Sequence, residues 1–496
     1  MPVKEFDFNT LKDYITSSKD ETLRNIAVGA NKKYVGSSSS MTSVLSHFHY
    51  LLSGWRGIDT RTLSQGFPDK LRTFTRLLRA PAAMFLHYQD GVYAIDADKE
   101  FDSANILMNL GKSMEKLLTL PKEDFERYRR SSDNKISQEE EQAIPESYHY
   151  STAGDFIMRS QLDAYDPRLP GTGMFDLKTR AVVSIRMDAK NFEHGLGYEI
   201  KSRFGTYESY EREYYDMIRA AFLKYSLQVR IGRMDGIFVA FHNVERIFGF
   251  QYISLPEMDQ ALHGTSDTAL GDTEFQLSLG MWNEILNKAT ERFPKQSLRF
   301  HFETRDAVTP FMYIFAEPVT KEDIHAIQTK NAADIEAYQK RLLNLTPKDD
   351  DSDLEAAAGN TTQDDSVASS GSNESLGSDT EQGSKEGDIL ALALTVRNKV
   401  NGQYTDRPSK FTAEDNWTID YELNEMAPAQ GRTLYRMCQV RRQKGLEGRG
   451  EDELDVAANV YIRRLRELSK EGRVHRKRED ELDEEQGIVV LADAMK

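Results

Sequence analysis

Apolar residues in this chain recur with two different spacings, which predicts a protein that combines helices and strands. Spacings of three and four residues, typical of an amphipathic helix, recur over residues 41–53, 67–80, 102–119, 276–292 and 321–345. Alternation of apolar and polar residues, typical of a strand, recurs over residues 298–304, 311–317, 390–396 and 417–423. Residues 81–95 predict two strands joined by a hairpin turn at Asp90-Gly91. The pattern predicts an α/β protein with a central mixed sheet flanked by helices.

The centre of the chain adds further elements, and a polar stretch interrupts the series. The spacing predicts one long helix over residues 207–227, a strand pair at 236–242 and 247–253, and a loop over 256–275. Residues 347–388 contain runs such as DDDSD and SSGSNES. With almost no large apolar side chain, they cannot bury enough surface to fold.

These patterns divide the chain into five segments. We expect a mainly helical N-terminal region at 1–100, a core at 101–346, a disordered acidic insertion at 347–388, strands and a helix that complete the core at 389–444, and a charged tail at 445–496.

The net charge is concentrated in the insertion. The chain has 496 residues and a net charge of −16. Residues 348–388 hold 12 acidic and 2 basic side chains, and residues 389–496 hold 20 acidic and 19 basic, which leaves a net of −5 for residues 1–347. Residues 1–347 are therefore near neutral, and a basic groove for nucleic acid is compatible with this charge.

The cysteine count and the hydropathy indicate the cellular compartment and the relation to membranes. The single cysteine, Cys438, excludes disulfides within the chain and zinc sites built on cysteines, which fits the cytosol or the mitochondrial matrix. No apolar run reaches the roughly 18 residues that a spanning helix needs, so any membrane association is expected to be peripheral. The opening MPVKEFDFNTLKDY has the pattern of neither a signal peptide nor an Arg-rich transit peptide.

Residues 154–186 carry the densest candidate chemistry. They predict a strand at 155–164, a linker rich in turn formers at 166–173 (DPRLPGTG), and a second strand that begins MFDLK at 174–178. Strand side chains alternate between faces, so Asp176 and Lys178 are predicted to point the same way.

The turn is expected to fold Asp163 back beside Asp176, with Asp166 as the alternative first carboxylate. Two carboxylates and an ammonium on one surface suit phosphodiester hydrolysis. Carboxylate oxygens bind Mg²⁺, the metal activates a water, and Lys178 orients the water or offsets charge that develops on the phosphate.

A D/E-x-K triplet alone is weak evidence, because three others begin at Asp133, Asp188 and Glu199. The Glu199 triplet is the serious rival, since it can lie on a strand. We prefer Asp176 because a second carboxylate precedes it across a turn. The alternative is a surface hairpin that carries an ordinary ion pair.

Three runs resemble known families. RSQLDAYDPRLPG at 159–171 with FDLKTRA at 175–181 resembles the PD-(D/E)XK nuclease superfamily, most closely its exonuclease-like branch. With YVGSSSSMTSVLSHFHYLLSGWR at 34–56 and YSLQVRIGRMDGIFVAFHN at 225–243, the chain is similar to a fungal family of mitochondrial mRNA 5′-end processing proteins, products of a nuclear petite gene. The similarity covers about residues 6–344 and resumes after 389. It implies a restriction-endonuclease-like sheet and a location on the matrix side of the mitochondrion.

The resemblance also implies further site residues. Glu115, on a helix before the core strands, is the implied extra metal ligand, and an ordinary surface glutamate beside Lys116 is the alternative. Gln228 is implied to position the attacking water, with Tyr225 as the alternative. The candidates for phosphate contact are Arg159, Arg180, Arg230 and Arg233.

The resulting hypothesis is maturation of 5′ ends and turnover of mitochondrial transcripts by a nuclease-like RNA-binding protein. Mg²⁺ is the expected cofactor, with Mn²⁺ as the alternative. The competing hypothesis is a catalytically inactive scaffold that binds RNA and recruits or stimulates the mitochondrial RNA polymerase or the decay machinery. A DNA-repair exonuclease would share the chemistry, since no motif for 2′-hydroxyl recognition separates RNA from DNA.

Overall fold

The computed structural model describes residues 5–103, 106–343, 388–447 and 456–487. Its helices are, in chain order, α1 Glu21–Gly29, α2 Ser38–Leu52, α3 Arg76–Arg79, α4 Ile106–Thr119, α5 Lys122–Glu126, α6 Gln138–Ala143, α7 Val183–Met187, α8 Tyr210–Ala220, α9 Phe222–Gly232, α10 Leu255–His263, α11 Ala269–Arg292, α12 Lys321–Thr329, α13 Ala332–Leu343, α14 Pro428–Leu446 and α15 Val456–Gln486.

The strands form two sheets. In chain order they are β1 Tyr34–Ser37, β2 Ala82–Gln89, β3 Val92–Ala97, β4 Tyr148–Ala153, β5 Phe156–Gln161, β6 Ala164–Tyr165, β7 Met174–Ala181, β8 Gly236–His242, β9 Ile247–Ser254, β10 Leu298–Arg305, β11 Phe311–Pro318, β12 Leu390–Val400, β13 Gln403–Thr405 and β14 Trp417–Glu425. The large sheet has ten strands in the order β13-β12-β11-β10-β2-β3-β1-β5-β4, with β14 also paired to β12. The small sheet has the order β6-β7-β8-β9. The α/β class with a large central mixed sheet is confirmed, and a second, smaller sheet accompanies it.

Helix α2 is the centre of the main core. It begins at a capping box in which Ser37 accepts from the backbone of Ser40 and Ser40 reciprocates, an arrangement that satisfies otherwise unpaired N–H groups of the first turn. Its apolar side chains pack against α9, α11 and strands of the large sheet. Phe48 contacts the ring of Trp282, which is fully buried. This packing places α9 and α11 against the large sheet, and α9 also contacts β8 of the small sheet.

The small sheet provides the candidate site with its frame. Strand β7 pairs in parallel with β8, with Asp176 opposite Ile237 and Lys178 opposite Val239. Parallel neighbours need a crossover connection, and here helices α7 to α9 supply it. Helix α4, which carries Glu115, precedes β7 in the chain, and helices α8 and α9 follow it.

The first 100 residues are less helical than expected, because they contribute β1, β2 and β3 to the large sheet. The hairpin at the Asp90-Gly91 turn is confirmed. The helix predicted for residues 67–80 is wrong, since only Arg76–Arg79 is helical. Phe67 and Phe74 are drawn into the core while Leu71 and Leu77 stay exposed, so tertiary packing overrides the local spacing.

Three other predictions about helices also need correction. The helix over 207–227 is two helices, because Ala221 has φ −138° and ψ −31° and breaks the hydrogen-bonded run. The loop over 256–275 is instead α10 and the start of α11; the Ser254 side chain caps α10 at the N–H of Glu257. The helix over 321–345 divides into α12 and α13. The acidic insertion at 347–388 lies almost wholly outside the described residues.

Within the described ranges, no helix combines the length and the apolar content that crossing a bilayer requires.

Candidate active site

A tight turn joins β6 to β7 and sets the geometry of the site. Two glycines in it have positive φ, Gly171 at 76° and Gly173 at 74°, a backbone region that other residues seldom adopt. The Asp166 N–H donates to the Gly173 carbonyl at 2.9 Å, and Ala164 lies opposite Phe175. This register brings Asp163 next to Asp176, as the sequence predicted. The longer hairpin expected for residues 155–164 is limited to β6, because β5 pairs within the large sheet.

The carboxyl groups of Asp163 and Asp176 are hydrogen-bonded to each other. The Leu177 N–H also donates to Asp163 Oδ2 at 2.9 Å. Burial, followed by the hydrogen bond and the negative charge of Asp176, raises the pKa of Asp163 to about 9. Two acids that share a proton in this way are close enough for one cation to replace that proton.

Lys178 completes this arrangement on the same face of β7. Its Nζ lies 2.5 Å from Asp176 Oδ2 and 5.3 Å from the centre of the Tyr225 ring. Burial opposes the charge on Lys178, but Asp176 and Asp163 outweigh it, so the pKa of Lys178 is raised. The ammonium therefore stays charged, with its position fixed by a carboxylate and by the ring of Tyr225.

Glu115 approaches the pair from α4, which packs against β7. Burial raises the pKa of Glu115, and the charges of Glu146 and Asp176 add to the effect. Lys116 pairs with Glu141 at 3.0 Å, and its positive charge opposes the rise in the pKa of Glu115. Glu146 is a nearby carboxylate that sequence reasoning missed, since its segment has no periodic pattern.

Helix α9 presents Tyr225 and, one turn later, Gln228. Gln228 is buried, and within the described part of the chain its Oε1 has no hydrogen-bond partner. Lys224, which sequence reasoning missed, interacts electrostatically with Lys178 and Asp176. It precedes Gln228 by four residues, and that spacing on one helical face is the signal that would have found it.

Arg180 lies two residues beyond Lys178 on the same face of β7. It is 7% exposed, and its Nε and Nη2 have no partner among the described residues. The neighbouring Arg186 forms ion pairs with both nearby carboxylates, Glu213 at 2.6 Å and Asp216 at 3.1 Å. Burial and the charge of Arg186 lower the pKa of Arg180 to about 10. An arginine left in this state is suited to bind an anion.

Two of the other three candidate arginines, Arg159 and Arg230, form ion pairs inside the protein. Arg159 is 3% exposed, pairs with Asp20 and donates to the Ile15 carbonyl at 2.7 Å. Arg230 pairs with Asp259 at 2.5 Å and with Asp272 at 2.9 Å. Both guanidinium groups are thus occupied by internal carboxylates. Arg233 is exposed in the left-handed conformation at the end of α9, with φ 51°.

Asp166 and the rival triplets are also placed elsewhere. Asp166 pairs with Arg168 at 2.5 Å, and the hydrogen bonds from Arg168 lower the pKa of Asp166 to about 2. Glu199 lies 3.4 Å from Arg246, outside any strand, while its triplet partner Lys201 pairs with Glu208 at 2.7 Å. Of the carboxylates weighed from sequence, Asp163 is the one beside Asp176.

A second group of side chains that could hold a cation lies between α2, α10 and α11. Ligand atoms of His49, His263 and Glu274 lie within 4.8 Å of one another. His49 Nδ1 is 2.5 Å from Glu274 Oε1, and Arg56 Nη1 is 3.4 Å from His263 Nδ1. The guanidinium of Arg56 already supplies positive charge there, which disfavours a further dication. Among the described residues, Asp163, Asp176 and Glu115 do not meet that distance, but the pair of Asp163 and Asp176 offers only carboxylate oxygens, which fits Mg²⁺ or Mn²⁺ better.

Comparison with known proteins identifies the family of this chain. A family model described as mitochondrial protein Pet127 matches residues 14–287, more than half of the chain. The chain belongs to the Pet127 family. This confirms the family resemblance and the mitochondrial location that the sequence analysis expected.

Two curated Pet127 relatives match the chain. It is 41% identical over 326 residues to the mitochondrial mRNA degradation protein pet127 of Schizosaccharomyces pombe, covering 64% of the chain and 61% of the relative. It is 46% identical over 258 residues to PET127 of Saccharomyces cerevisiae, described as a candidate mitochondrial translation system component, covering 51% of the chain and 30% of the relative. The chain thus spans less than two thirds of the length of either relative.

Two solved structures match this Pet127-family chain more distantly. Rai1 of Candida albicans, in complex with pU5 and Mn²⁺, is 11% identical with a TM-score of 0.32, covering 68% of this chain and 85% of Rai1. Rai1 of Scheffersomyces stipitis, in complex with (3′-NADP)⁺ and calcium, is 9% identical with a TM-score of 0.29, covering 68% of this chain and 88% of that one.

Proposed function

We propose that this chain hydrolyses phosphodiester bonds of mitochondrial RNA, with a divalent cation held by Asp163 and Asp176. The observation that carries the proposal is the pair of carboxyl groups, one from the residue before β6 and one from β7, with Lys178 Nζ 2.5 Å from Asp176. The relatives' names, which refer to mRNA degradation and to mitochondrial translation, support RNA as the substrate. The role would be 5′-end maturation and turnover of mitochondrial transcripts.

Each residue of the site has a role in this proposal. Asp163 and Asp176 hold the cation, and Glu115 adds a carboxylate from α4. A bound Mg²⁺ or Mn²⁺ lowers the pKa of a water and polarises a phosphoryl oxygen. Lys178 offsets the negative charge that develops on the phosphate. Gln228, through its unpartnered Oε1, accepts a hydrogen bond from the attacking water.

Protonation of the pair fits the same account. With no cation, Asp163 keeps a proton that it shares with Asp176. A cation can bind tightly only when that proton leaves, because both carboxylates must then face the same positive charge. Lys178 remains charged and lowers the pKa of Asp163, which assists this release.

Arg180 and Arg233 would contact phosphates of the RNA. Arg180 has unpartnered guanidinium nitrogens two residues from Lys178, and Arg233 is exposed at the end of the helix that carries Gln228. Arg159 and Arg230 are left out of this role because internal carboxylates occupy them.

The test uses the purified chain and 5′-labelled single-stranded RNA with Mg²⁺ or Mn²⁺. We expect cleavage by the unmodified chain and a loss of about a thousandfold in Asp176→Asn and in Lys178→Ala, with RNA binding retained. Asp166→Asn is the matched control, since it removes a nearby carboxylate that faces Arg168 instead of the site. Parallel reactions with single-stranded DNA of the same sequence separate RNA from DNA specificity.

Equal background cleavage by all four proteins, with RNA binding intact, would contradict the enzymatic proposal. That outcome would leave the chain as an RNA-binding scaffold. Stimulation of the mitochondrial RNA polymerase or of the decay machinery would then be the activity to measure.

A further inference from the structure

A cavity of about 350 Å³ opens on the large sheet, apart from the candidate active site. It lies between β10, the end of α12, the residues that follow β3, and α14. Its walls include Glu100, Phe101, His301, Lys330, Arg436 and Arg442. None of these residues takes part in the site on β7. The volume falls in the lower part of the range for pockets that bind small molecules.

Positive charge exceeds negative charge around this cavity. Asp98 and Glu100 each accept from Arg299 and Arg442, at distances of 2.5 to 3.0 Å. Lys330 lies 3.6 Å from Glu100, and Arg436 has no ion pair within the described part of the chain. Two carboxylates therefore face four cations.

Two buried polar atoms in the wall have no hydrogen-bond partner among the described residues. They are Nε of Arg442, a residue that is 3% exposed, and Nδ1 of His301, a residue that is 1% exposed. Burial and the positive charges of Arg299 and Arg442 lower the pKa of His301 well below its usual range. The ring is thus neutral mainly because it is buried, and the positive charges beside it would also attract an anion.

We infer that this cavity binds a small phosphate monoester of nucleotide size. An excess of two positive charges matches the charge of a phosphate monoester, which approaches −2 at neutral pH. Guanidinium groups bind phosphate oxygens through paired N–H donors. Arg436 offers such donors at the rim, and the Lys330 ammonium adds a second cation.

The remaining walls suit the rest of a nucleotide. Phe101 provides an aromatic surface, with the Arg442 guanidinium 4.8 Å and Lys330 Nζ 5.4 Å from its ring centre. Gln439 and Gln443, which also line the cavity, offer amide donors and acceptors of the kind that contact a base edge. A ligand with a phosphate at one end and a polar ring at the other would use all three features.

The experiment is calorimetric titration of the full chain with AMP, inorganic phosphate and adenosine, with EDTA present so that no metal joins the ligand to the carboxylates of β7. We expect saturable binding of AMP, weaker binding of phosphate and none of adenosine. Arg436→Gln should weaken AMP binding roughly tenfold, and Arg436→Glu should abolish it. Because Arg436 is exposed and outside any described ion pair, both variants should keep the thermal midpoint of the unmodified chain.

Two control variants make the result specific. Lys444→Gln lies on the same helix but outside the cavity, and should bind AMP as the unmodified chain does. Asp176→Asn should also leave AMP binding unchanged, which separates this inference from the proposed hydrolysis. Absence of saturable AMP binding, equal affinity in Arg436→Glu, or phosphate binding as tight as that of AMP would each overturn the inference.

Discussion

The large sheet and the small sheet carry their buried charges in different ways. Next to the large sheet, the fully buried side chain of Asp98 lies 2.8 Å from Arg299 and 3.0 Å from Arg442. On the small sheet, Asp163 and Asp176 are hydrogen-bonded to each other and share one lysine. The first cluster is neutralised by cations of the chain itself, whereas the second holds acids in excess.

This difference separates a structural cluster from a candidate active site. Burying a carboxylate costs free energy that a guanidinium partner can offset. Where the partner is another carboxyl group, the pKa rises instead, as it does for Asp163, to about 9. Perturbed acids of this kind gather at functional sites. The contrast leads to three predictions, each a way to remove or enlarge the difference between the two regions.

The largest effect should come from removing a cation of the large sheet. Arg442→Met leaves Asp98 and Glu100 with fewer donors, and it should lower the free energy of unfolding by about 3–5 kcal/mol. Lys178→Met, in the small sheet, should cost much less, because Asp163 and Asp176 already share a proton. Urea denaturation followed by circular dichroism measures both. Equal losses in the two variants would remove the proposed distinction.

A second contrast compares two buried arginines. Arg230→Gln breaks contacts with Asp259 and Asp272 and should lower stability by about 2 kcal/mol without changing affinity for RNA. Arg180→Gln removes a guanidinium with unpartnered nitrogens, so stability should change by less than about 1 kcal/mol.

RNA cleavage should also distinguish the two arginine variants. Cleavage by Arg180→Gln should fall roughly tenfold, the loss of one phosphate contact. If Arg230→Gln bound RNA more weakly at unchanged stability, Arg230 would be a phosphate contact after all.

A third prediction concerns pH. The pKa of Asp163 is about 9 in the folded chain, against a usual value of 3.8. Between these values the folded state holds a proton that the unfolded chain has lost, so the stability of the metal-free protein should fall as pH rises from about 4 towards about 9. Asp163→Asn should weaken this dependence.

Added Mg²⁺ should act in the opposite direction. It replaces the shared proton, so it should raise the thermal midpoint by a few degrees at about pH 8 and by less at about pH 6. Thermal denaturation at both values tests this. A shift by Mg²⁺ that persists unchanged in Asp163→Asn would contradict the assignment of the site.

The parts of the site that could be predicted from sequence depend on short-range geometry. Alternation along β7 places Asp176 and Lys178 on one face, and the turn before it returns Asp163 to their side. Both features follow from residues that are close in the chain. Tyr225 and Gln228 lie farther away in sequence, and they were expected near the site only because of the family resemblance.

The errors arose where distant residues decide the outcome. Arg159 appeared available for phosphate in the sequence, but its partner Asp20 is 139 residues away. Arg230 likewise meets Asp259 and Asp272 from two other helices. The segment at 67–80 has helical spacing, yet its phenylalanines pack into the core formed by remote elements. No local pattern reports such pairings.

The most direct test of the central claim is the binding of Mn²⁺, followed by electron paramagnetic resonance, to the unmodified chain and to Asp163→Asn, Asp176→Asn and Asp166→Asn. The account predicts a saturable site in the unmodified chain and in Asp166→Asn, and a loss of affinity in the other two variants. Equal binding by all four proteins would show that Asp163 and Asp176 do not hold the cation, and it would contradict the account.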